Sequence, residues 1–315
     1  MQAHLNFHRK LSSSLRLFVK SKLSMSNVAK PTAEFDGEVA ILYKALAENH
    51  RHPQGPWGLM TSQVQSKLES MANERRDDKA PVVVVDVASG PGEPAVTIAK
   101  AMPHVTVFST DYATDMHKVA AAKAVHIPNL KAMVADAQDL SAFASNSVDC
   151  VTCCYGYMFP EDPVKCLSEA YRILKPGGSL INTHWKTLGM MGVNKGIMKA
   201  IYEAQPTPVE TPARGINPLA FEEDGLFIDI AVKGGFSKEN IETVTSTYPF
   251  NIGKDKEWQY KMATIPIRGK IEEFGGHDIA RRVYDELFGK YTQIDEKTGD
   301  LMITGNTFIM TTIKK

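Results

Sequence analysis

The chain of 315 residues predicts an α/β fold built on a doubly wound, mostly parallel sheet. Between residues 82 and 185, apolar runs of strand length alternate with segments whose apolar residues recur at helical spacing. A glycine-rich turn, "ASGPG", joins the first of these runs to the segment that follows it. Strands that alternate with helices at this spacing form βαβ units with right-handed crossovers, which build a parallel sheet.

The individual elements follow from this alternation in chain order. We predict strands near residues 82–87, 104–110, 130–135, 148–155 and 179–185, with helices near 94–102, 114–125 and 163–174. Residues 34–80 hold two N-terminal helices with apolar residues at helical spacing, and residues 81–186 form the core. Residues 187–315 supply further helices and two strand-like segments, "ENIETVTSTYPF" and "DLMITGNTFIMTTIKK".

The first segment, residues 1–33, differs in composition from the rest of the chain. It is rich in serine, with leucine and phenylalanine interleaved, and no acidic residue occurs before Glu34. Its basic residues are Arg9, Lys10, Arg16, Lys20, Lys22 and Lys30. This composition is typical of a transit peptide, of the mitochondrial type first and the plastid type second. The alternative is a disordered basic tail, or translation from Met25, on a cytoplasmic protein.

Charge, hydropathy and cysteine placement narrow the possible partners. Basic and acidic side chains number 36 each, and zero net charge argues against a broad nucleic-acid-binding surface. No apolar run approaches the length that spans a bilayer. Cys150, Cys153 and Cys154 crowd into one predicted strand, and no second Cys/His pair lies near them in the sequence. We interpret them as small core residues and expect no metal site.

The loop after the first strand, "DVASGPGEPAV", presents a choice between two kinds of ligand. Gly90, Gly92 and Ala95 have the G-x-G-x-x-A spacing of a dinucleotide-binding loop. A pyrophosphate, however, requires free backbone N–H groups and the positive end of a helix dipole. Pro94 removes one N–H, and Glu93 places a negative charge at the same point. The loop therefore disfavours a phosphate ligand, and with it an NAD-dependent dehydrogenase.

Carboxylates follow three consecutive predicted strands, as Asp86, Asp111 and Asp136. Because the carboxyl ends of parallel strands meet at one edge of a sheet, we expect these side chains at the same rim. Asp111, twenty-one residues beyond Gly90, is placed to bind the two ribose hydroxyls of a nucleoside. A nucleoside without phosphates that carries positive charge fits this acidic rim. S-adenosyl-L-methionine (SAM) has these properties.

Four motifs in this region resemble those of the class I SAM-dependent methyltransferases. They read "VVVVDVASGPG", "STDYATDM", "ADAQDL" and "FPEDPVKCLSEAYRILKPGG", with Ala88 in place of the family's first glycine. The resemblance is to the small-molecule branch that includes the ubiquinone/menaquinone C-methyltransferases. It implies a Rossmann-like sheet of seven strands, whose antiparallel last strand lies between strands five and six. It also implies that the N-terminal helices close over the cofactor and that a helical cover binds the acceptor.

The resemblance further implies which residues bind SAM and its product S-adenosyl-L-homocysteine. Asp111 matches the ribose-binding acid, and Asp136 with Ala137 matches the pair that contacts adenine. Asp86 is expected to orient the loop and to contact the methionyl ammonium. The full expected set is Asp86, Ala88, Gly90, Gly92, Asp111, Tyr112, Met116, Asp136, Ala137 and Tyr155.

The implied reaction is in-line displacement of the SAM methyl group onto a small-molecule acceptor, in which alignment supplies most of the rate. An acceptor that must lose a proton needs a base, and Tyr157 and His184, near the ends of strands four and five, are the candidates. A structural role fits His184 equally well. Trp57 and Trp185 are candidates for stacking on a substrate or for core packing. The alternatives are a protein or RNA methyltransferase and a non-catalytic subunit, and O-, N-, S- and C-methylation all stay open.

Overall fold

The computed structural model describes residues 42, 45–74, 81–207, 209 and 217–315. The basic segment 1–33 and most of the first predicted N-terminal helix lie outside these residues, so their assignments stay predictions. Within the described chain, a 3₁₀ helix at Asn49–Arg51 precedes the second predicted N-terminal helix.

Seven strands form one mostly parallel sheet, and three short strands form a second one. The strands are β1 (Val83–Val87), β2 (Thr106–Asp111), β3 (Leu130–Val134), β4 (Val148–Cys154), β5 (Leu174–Thr187), β6 (Ile241–Thr247), β7 (Phe250–Asn251), β8 (Thr292–Ile294), β9 (Leu301–Ile303) and β10 (Thr307–Lys314). The large sheet has the order β3-β2-β1-β4-β5-β10-β6, and the small one has the order β7-β9-β8. The small sheet is absent from the sequence prediction.

The pairing of the large sheet confirms the predicted fold class. β1 is parallel to β2 and β4, β2 is parallel to β3, and β4 is parallel to β5. β10 runs antiparallel to both of its neighbours, with Met310 opposite Thr183 of β5 on one side and Val244 of β6 on the other. The last strand is therefore inserted between strands five and six, as the family resemblance implies.

Helices cover both faces of the sheet. They are α1 (Pro56–Glu74), α2 (Ala95–Ala101), α3 (Thr114–Ala124), α4 (Pro163–Ile173), α5 (Gly189–Glu203), α6 (Leu226–Lys233), α7 (Lys256–Thr264), α8 (Arg268–Glu273) and α9 (His277–Leu287). The start of α4 shows why the local sequence is helical, since the Asp162 side chain accepts a hydrogen bond from the Lys165 N–H and Pro163 occupies the first turn. No helix in the described ranges is long and apolar enough to cross a membrane.

The sheet separates two hydrophobic cores, because successive strand residues point to opposite faces. Val84 and Cys150 face the first core, which α1 and α5 help to build. Val85 and Cys153 face the second core, which α4 and α6 help to build. The clustered cysteines are thus small core residues, as predicted from their alternation along one strand.

The fifth strand is longer than the sequence predicts, because the Lys-Pro-Gly-Gly segment belongs to it. Gly177 has a φ of 77° there, and its N–H donates a 3.0 Å hydrogen bond to the Lys315 carbonyl. The Lys315 N–H donates in return to the Gly178 carbonyl at 2.8 Å. Pairing with a residue more than a hundred positions away extends the strand, and no local pattern signals such a partner.

Candidate active site

The loop between β1 and α2 turns through residues with left-handed backbone conformations. Ala88, Gly90 and Gly92 have φ values of 53°, 55° and 99°. Glycine adopts such angles without cost, whereas for alanine the left-handed region costs about 1–2 kcal/mol. Ala88 therefore occupies the family's first-glycine position with the same backbone turn, at some expense in stability.

Asp86 holds this loop together from within the protein. Its carboxylate is fully buried and accepts hydrogen bonds from the Ser89 and Thr152 hydroxyls, both at 2.6 Å, and from the Ala95 N–H at 3.2 Å. Burial raises the pKa of Asp86 to about 7. The geometry matches the expected loop-orienting role, since one side chain joins β1, β4 and the start of α2.

Asp111 joins the end of β2 to the same loop. Its Oδ2 atom accepts a 2.8 Å hydrogen bond from the Gly90 N–H, and its Oδ1 atom accepts a 2.9 Å bond from the Ala113 N–H. Each carboxylate oxygen has a second acceptor position, so both oxygens can still receive a ligand hydroxyl. Partial burial raises the pKa of Asp111 above its ordinary value.

The remaining expected adenosine contacts lie at the ends of β2 and β3. Val134 of β3 pairs with Asp111 of β2, which brings the two strand ends to one edge. Burial, followed by the charges of the Asp111 and Asp136 carboxylates, raises the pKa of Tyr112, so the three groups are neighbours. Asp136 and Tyr112 are exposed, whereas Met116 is half-buried and Ala137 is buried. Asp111, Tyr112 and Asp136 are therefore neighbours at this edge, whereas Asp86, the third predicted carboxylate, is buried beneath the loop.

Glu93 lies in an ion pair, although the sequence suggests a free negative charge that repels a phosphate. Its carboxylate is paired with the Arg51 guanidinium at 2.6 Å and accepts bonds from the Thr97 N–H and hydroxyl at 3.2 and 2.8 Å. The negative charge at the start of α2 is thus compensated, and repulsion by Glu93 is not the reason why a phosphate is disfavoured. The reason is occupancy, since acidic side chains already use the Ala95 and Thr97 N–H groups and Pro94 has none.

An aromatic cluster lies on the first-core face, beside the ends of β4 and β5. Its members are His50, Trp57, Tyr155, Trp185, Tyr248 and Phe250. The rings of Tyr155 and Trp185 stack with centroids 4.1 Å apart and planes 4° apart. The cluster adjoins the cofactor loop, because His50 precedes the Arg51 that binds Glu93. Sequence reasoning missed His50, Arg51 and Tyr248, which have no motif around them.

The two predicted catalytic residues, Tyr157 and His184, lie on the opposite face of the sheet. Tyr157 is buried in the second core, and its ring stacks on Phe227. Its hydroxyl has no hydrogen-bond partner among the described residues. His184 packs against Phe221 and Phe227, and burial lowers its pKa to about 4. The structure brings neither residue to the aromatic cluster. For His184 the reason is that successive residues of a strand point to opposite faces of the sheet. Trp185 faces the aromatic cluster, so the adjacent His184 faces the other side.

Comparison with known proteins agrees with this geometry. Residues 85–182 match the family model described as "Methyltransferase domain". The ubiquinone/menaquinone biosynthesis C-methyltransferase UbiE of Rickettsia prowazekii is 33% identical over 38% of this chain and 49% of its own length. The demethylmenaquinone methyltransferase of Thermus thermophilus is 34% identical over 33% of this chain and 47% of its own. The chain therefore spans about half the length of the curated relatives it matches.

A solved structure of Haemonchus contortus phosphoethanolamine N-methyltransferase 2, in complex with SAM, is also similar in outline. Its identity is 19%, over 91% of this chain and 60% of that one, with a TM-score of 0.47. The strand order of the large sheet defines a Rossmann-like fold. Residues 85–182 form a methyltransferase domain by their match to the family model, and the chain is similar to the class I SAM-dependent methyltransferases, enzymes whose cofactor is SAM.

Proposed function

We propose that this chain transfers a methyl group from SAM to a small-molecule acceptor. The observation that carries the proposal is the position of Asp111. Its carboxylate is tied to the glycine loop through Gly90 and to the following turn through Ala113, and it keeps acceptor positions for two ribose hydroxyls. The loop beside it has no N–H groups left at the helix start for a phosphate.

The residues of the rim are assigned to different parts of the SAM molecule. Asp136 and Tyr112 flank the adenine, and Asp111 binds the ribose. Asp86 fixes the loop against which the methionyl end rests, through its bonds to Ser89, Ala95 and Thr152. When bound, SAM supplies an electrophilic methyl group on a sulfonium. The protein has to align the acceptor with the methyl carbon and the sulfur, and proximity then supplies most of the rate.

The acceptor site is assigned to the aromatic cluster, and its character supports a small acceptor of low charge. Burial among the rings lowers the pKa of His50 to about 3, so the imidazole is neutral at physiological pH. Tyr155 and Trp185 offer stacked aromatic surface. Zero net charge argues against a nucleic-acid acceptor. Relatives named for ubiquinone and menaquinone biosynthesis support the same reading.

Calorimetric titration of the full chain with SAM, S-adenosyl-L-homocysteine and NAD tests the cofactor assignment. We expect both adenosyl ligands to bind and NAD to show no heat. Transfer of label from methyl-tritiated SAM is then measured with fractionated small metabolites and with protein and RNA fractions. Label that enters only the protein or RNA fraction would replace the small-molecule proposal with the macromolecular one. Binding of NAD without SAM would contradict the proposal as a whole.

A further inference from the structure

Three polar groups form a chain inside the aromatic cluster. The Nδ1 atom of His50 lies 2.7 Å from the Tyr248 hydroxyl, which lies 3.3 Å from the Tyr155 hydroxyl. The three residues come from separate parts of the sequence, namely the 3₁₀ helix before α1, the link between β6 and β7, and the end of β4. Within the described residues, no hydrogen bond from a charged side chain reaches these three groups.

The direction of the first hydrogen bond follows from its length and from chemistry. Hydrogen bonds donated by O–H groups are typically 2.7–2.8 Å long, and those donated by N–H groups about 2.9–3.0 Å. A phenol is also a better donor than a neutral imidazole N–H, and an imidazole nitrogen is a better acceptor than a phenol oxygen. We therefore assign the 2.7 Å contact as a bond from the Tyr248 hydroxyl to His50 Nδ1, which places the imidazole proton on Nε2.

The direction of the second bond follows by counting protons. A tyrosine hydroxyl has one proton and two lone pairs. Tyr248 uses its proton on His50, so in the contact between the two hydroxyls Tyr155 must be the donor. The Tyr155 oxygen then has no proton left for any other partner, and it presents lone pairs only.

The backbone and the neighbouring rings hold Tyr155 in this position. Its φ of 57° is a left-handed conformation that is costly for a side chain of this size, and such conformations cluster at functional sites. Its ring is stacked on Trp185, and it is half-buried, unlike Tyr248, which is fully buried. Tyr155 directly follows β4, which pairs with β1, the strand whose Asp86 holds the cofactor loop.

We propose that the Tyr155 hydroxyl accepts a hydrogen bond from the methyl acceptor, and that Tyr248 and His50 are positioning residues that fix this polarity. The acceptor must then present an O–H or N–H group to Tyr155, and a molecule with only lone pairs at that point is rejected. This inference rests on the proposed function. It selects acceptors by hydrogen-bond polarity and requires no charged group on either side.

The test uses two probes that differ by one hydrogen-bond donor. The full chain is saturated with S-adenosyl-L-homocysteine and titrated with 2-naphthol and with 2-methoxynaphthalene, which share a planar ring. We expect 2-naphthol to bind about tenfold more tightly, the loss typical of one uncharged hydrogen bond whose partner is removed. Tyr155→Phe and Tyr248→Phe should each bring the ratio of the two affinities close to one.

Substitution at His50 separates positioning from simple packing. In His50→Asn the amide oxygen can replace Nδ1 as an acceptor for Tyr248, so the preference for 2-naphthol should persist. In His50→Leu the bulk stays but the acceptor is lost, and the preference should disappear. Urea denaturation of every variant shows whether it is folded, and its affinity for S-adenosyl-L-homocysteine is measured separately because Tyr155 also belongs to the expected cofactor-binding set.

Each outcome bears on a different claim. Equal affinities of wild type for the two probes, or a preference that survives Tyr248→Phe, would overturn the inference and leave the proposed function standing. Binding of neither probe to a protein that binds S-adenosyl-L-homocysteine would overturn the placement of the acceptor at this cluster. Failure of S-adenosyl-L-homocysteine itself to bind would remove the proposed function and the inference with it.

Discussion

Substitution of Asp111 by alanine tests the centre of the proposed cofactor site. The carboxylate is bonded to the Gly90 and Ala113 N–H groups at 2.8 and 2.9 Å, and the proposal gives it two ribose hydroxyls as further partners. Asp111→Ala removes all four interactions, whereas the β2 backbone pairing with β3 does not depend on the side chain. We therefore expect cofactor binding to fail while the fold persists.

The size of the effect can be worked from these contacts. A hydrogen bond to a charged group contributes about 1.5–3 kcal/mol. Loss of two bonds from the ribose, taken at the lower value, amounts to about 3 kcal/mol, which corresponds to an affinity roughly a hundredfold weaker. Loss of the Gly90 bond also loosens the loop, so the weakening should be at least this large.

Isothermal titration with SAM measures the effect, and Asp115→Ala supplies a matched control. Asp115 lies four residues further on, is largely exposed, and pairs with Lys118 at the surface. The control should bind SAM as wild type does, and both variants should unfold cooperatively in urea, with Asp111→Ala at a lower concentration because it loses the bonds to Gly90 and Ala113. If Asp111→Ala bound SAM with unchanged affinity, the assignment of the ribose site to this rim would be wrong.

Three further predictions concern stability. Arg51→Met should lower the free energy of unfolding by about 1 kcal/mol in wild type, a value reduced because Arg51 is 46% exposed. The loss should be smaller in a Glu93→Gln background, where only the contacts of Arg51 with Glu48, Thr97 and Trp57 remain to be removed, and equal losses in both backgrounds by urea denaturation would refute the coupling. Because burial raises the pKa of Asp86, the folded state keeps the carboxyl proton up to pH about 7, whereas the unfolded chain loses it near pH about 4. The free energy of unfolding, measured relative to Asp86→Asn, should therefore fall by a few kcal/mol between pH about 4 and 7. A difference between the two proteins that does not change with pH would contradict the burial argument. Lys175→Met removes the ammonium 2.8 Å from the nearly buried Asp149 carboxylate and should lower the free energy of unfolding by about 3 kcal/mol. Lys118→Met, at an exposed ion pair, should leave the free energy of unfolding almost unchanged. Similar urea midpoints for the two variants would argue against this distinction between buried and exposed pairs.

Local patterns in the sequence were sufficient for most of the fold. The run "VVVDV" forms β1 because β-branched residues favour strands, and the Asp162-Pro163 pair starts α4 because it caps the first turn. The acids of the rim were also predictable, since each follows its strand directly and parallel strands end at one edge. The antiparallel last strand followed from the family resemblance, because strand direction has no local signature.

The acceptor side of the site was not predictable in this way. Tyr248 meets His50 across 198 residues and Tyr155 across 93, and Arg51 meets Glu93 across 42. Each pair depends on where α1 and the β6–β7 link pack against the sheet. Packing of this kind depends on the whole core, and no spacing of residues encodes it.

His184 and Trp185 separate what the sequence determines from what only the tertiary structure determines. The sequence by itself determined that these two residues end strand five and point to opposite faces, because strand alternation is a local property. It could not determine which face borders the cofactor loop. That choice was made by tertiary packing, which puts Phe227 of α6 over His184 and brings His50, before α1, to Trp185. Strand alternation fixes which side chains share a face of the sheet, whereas the packing of helices and loops against the sheet decides what each face contacts.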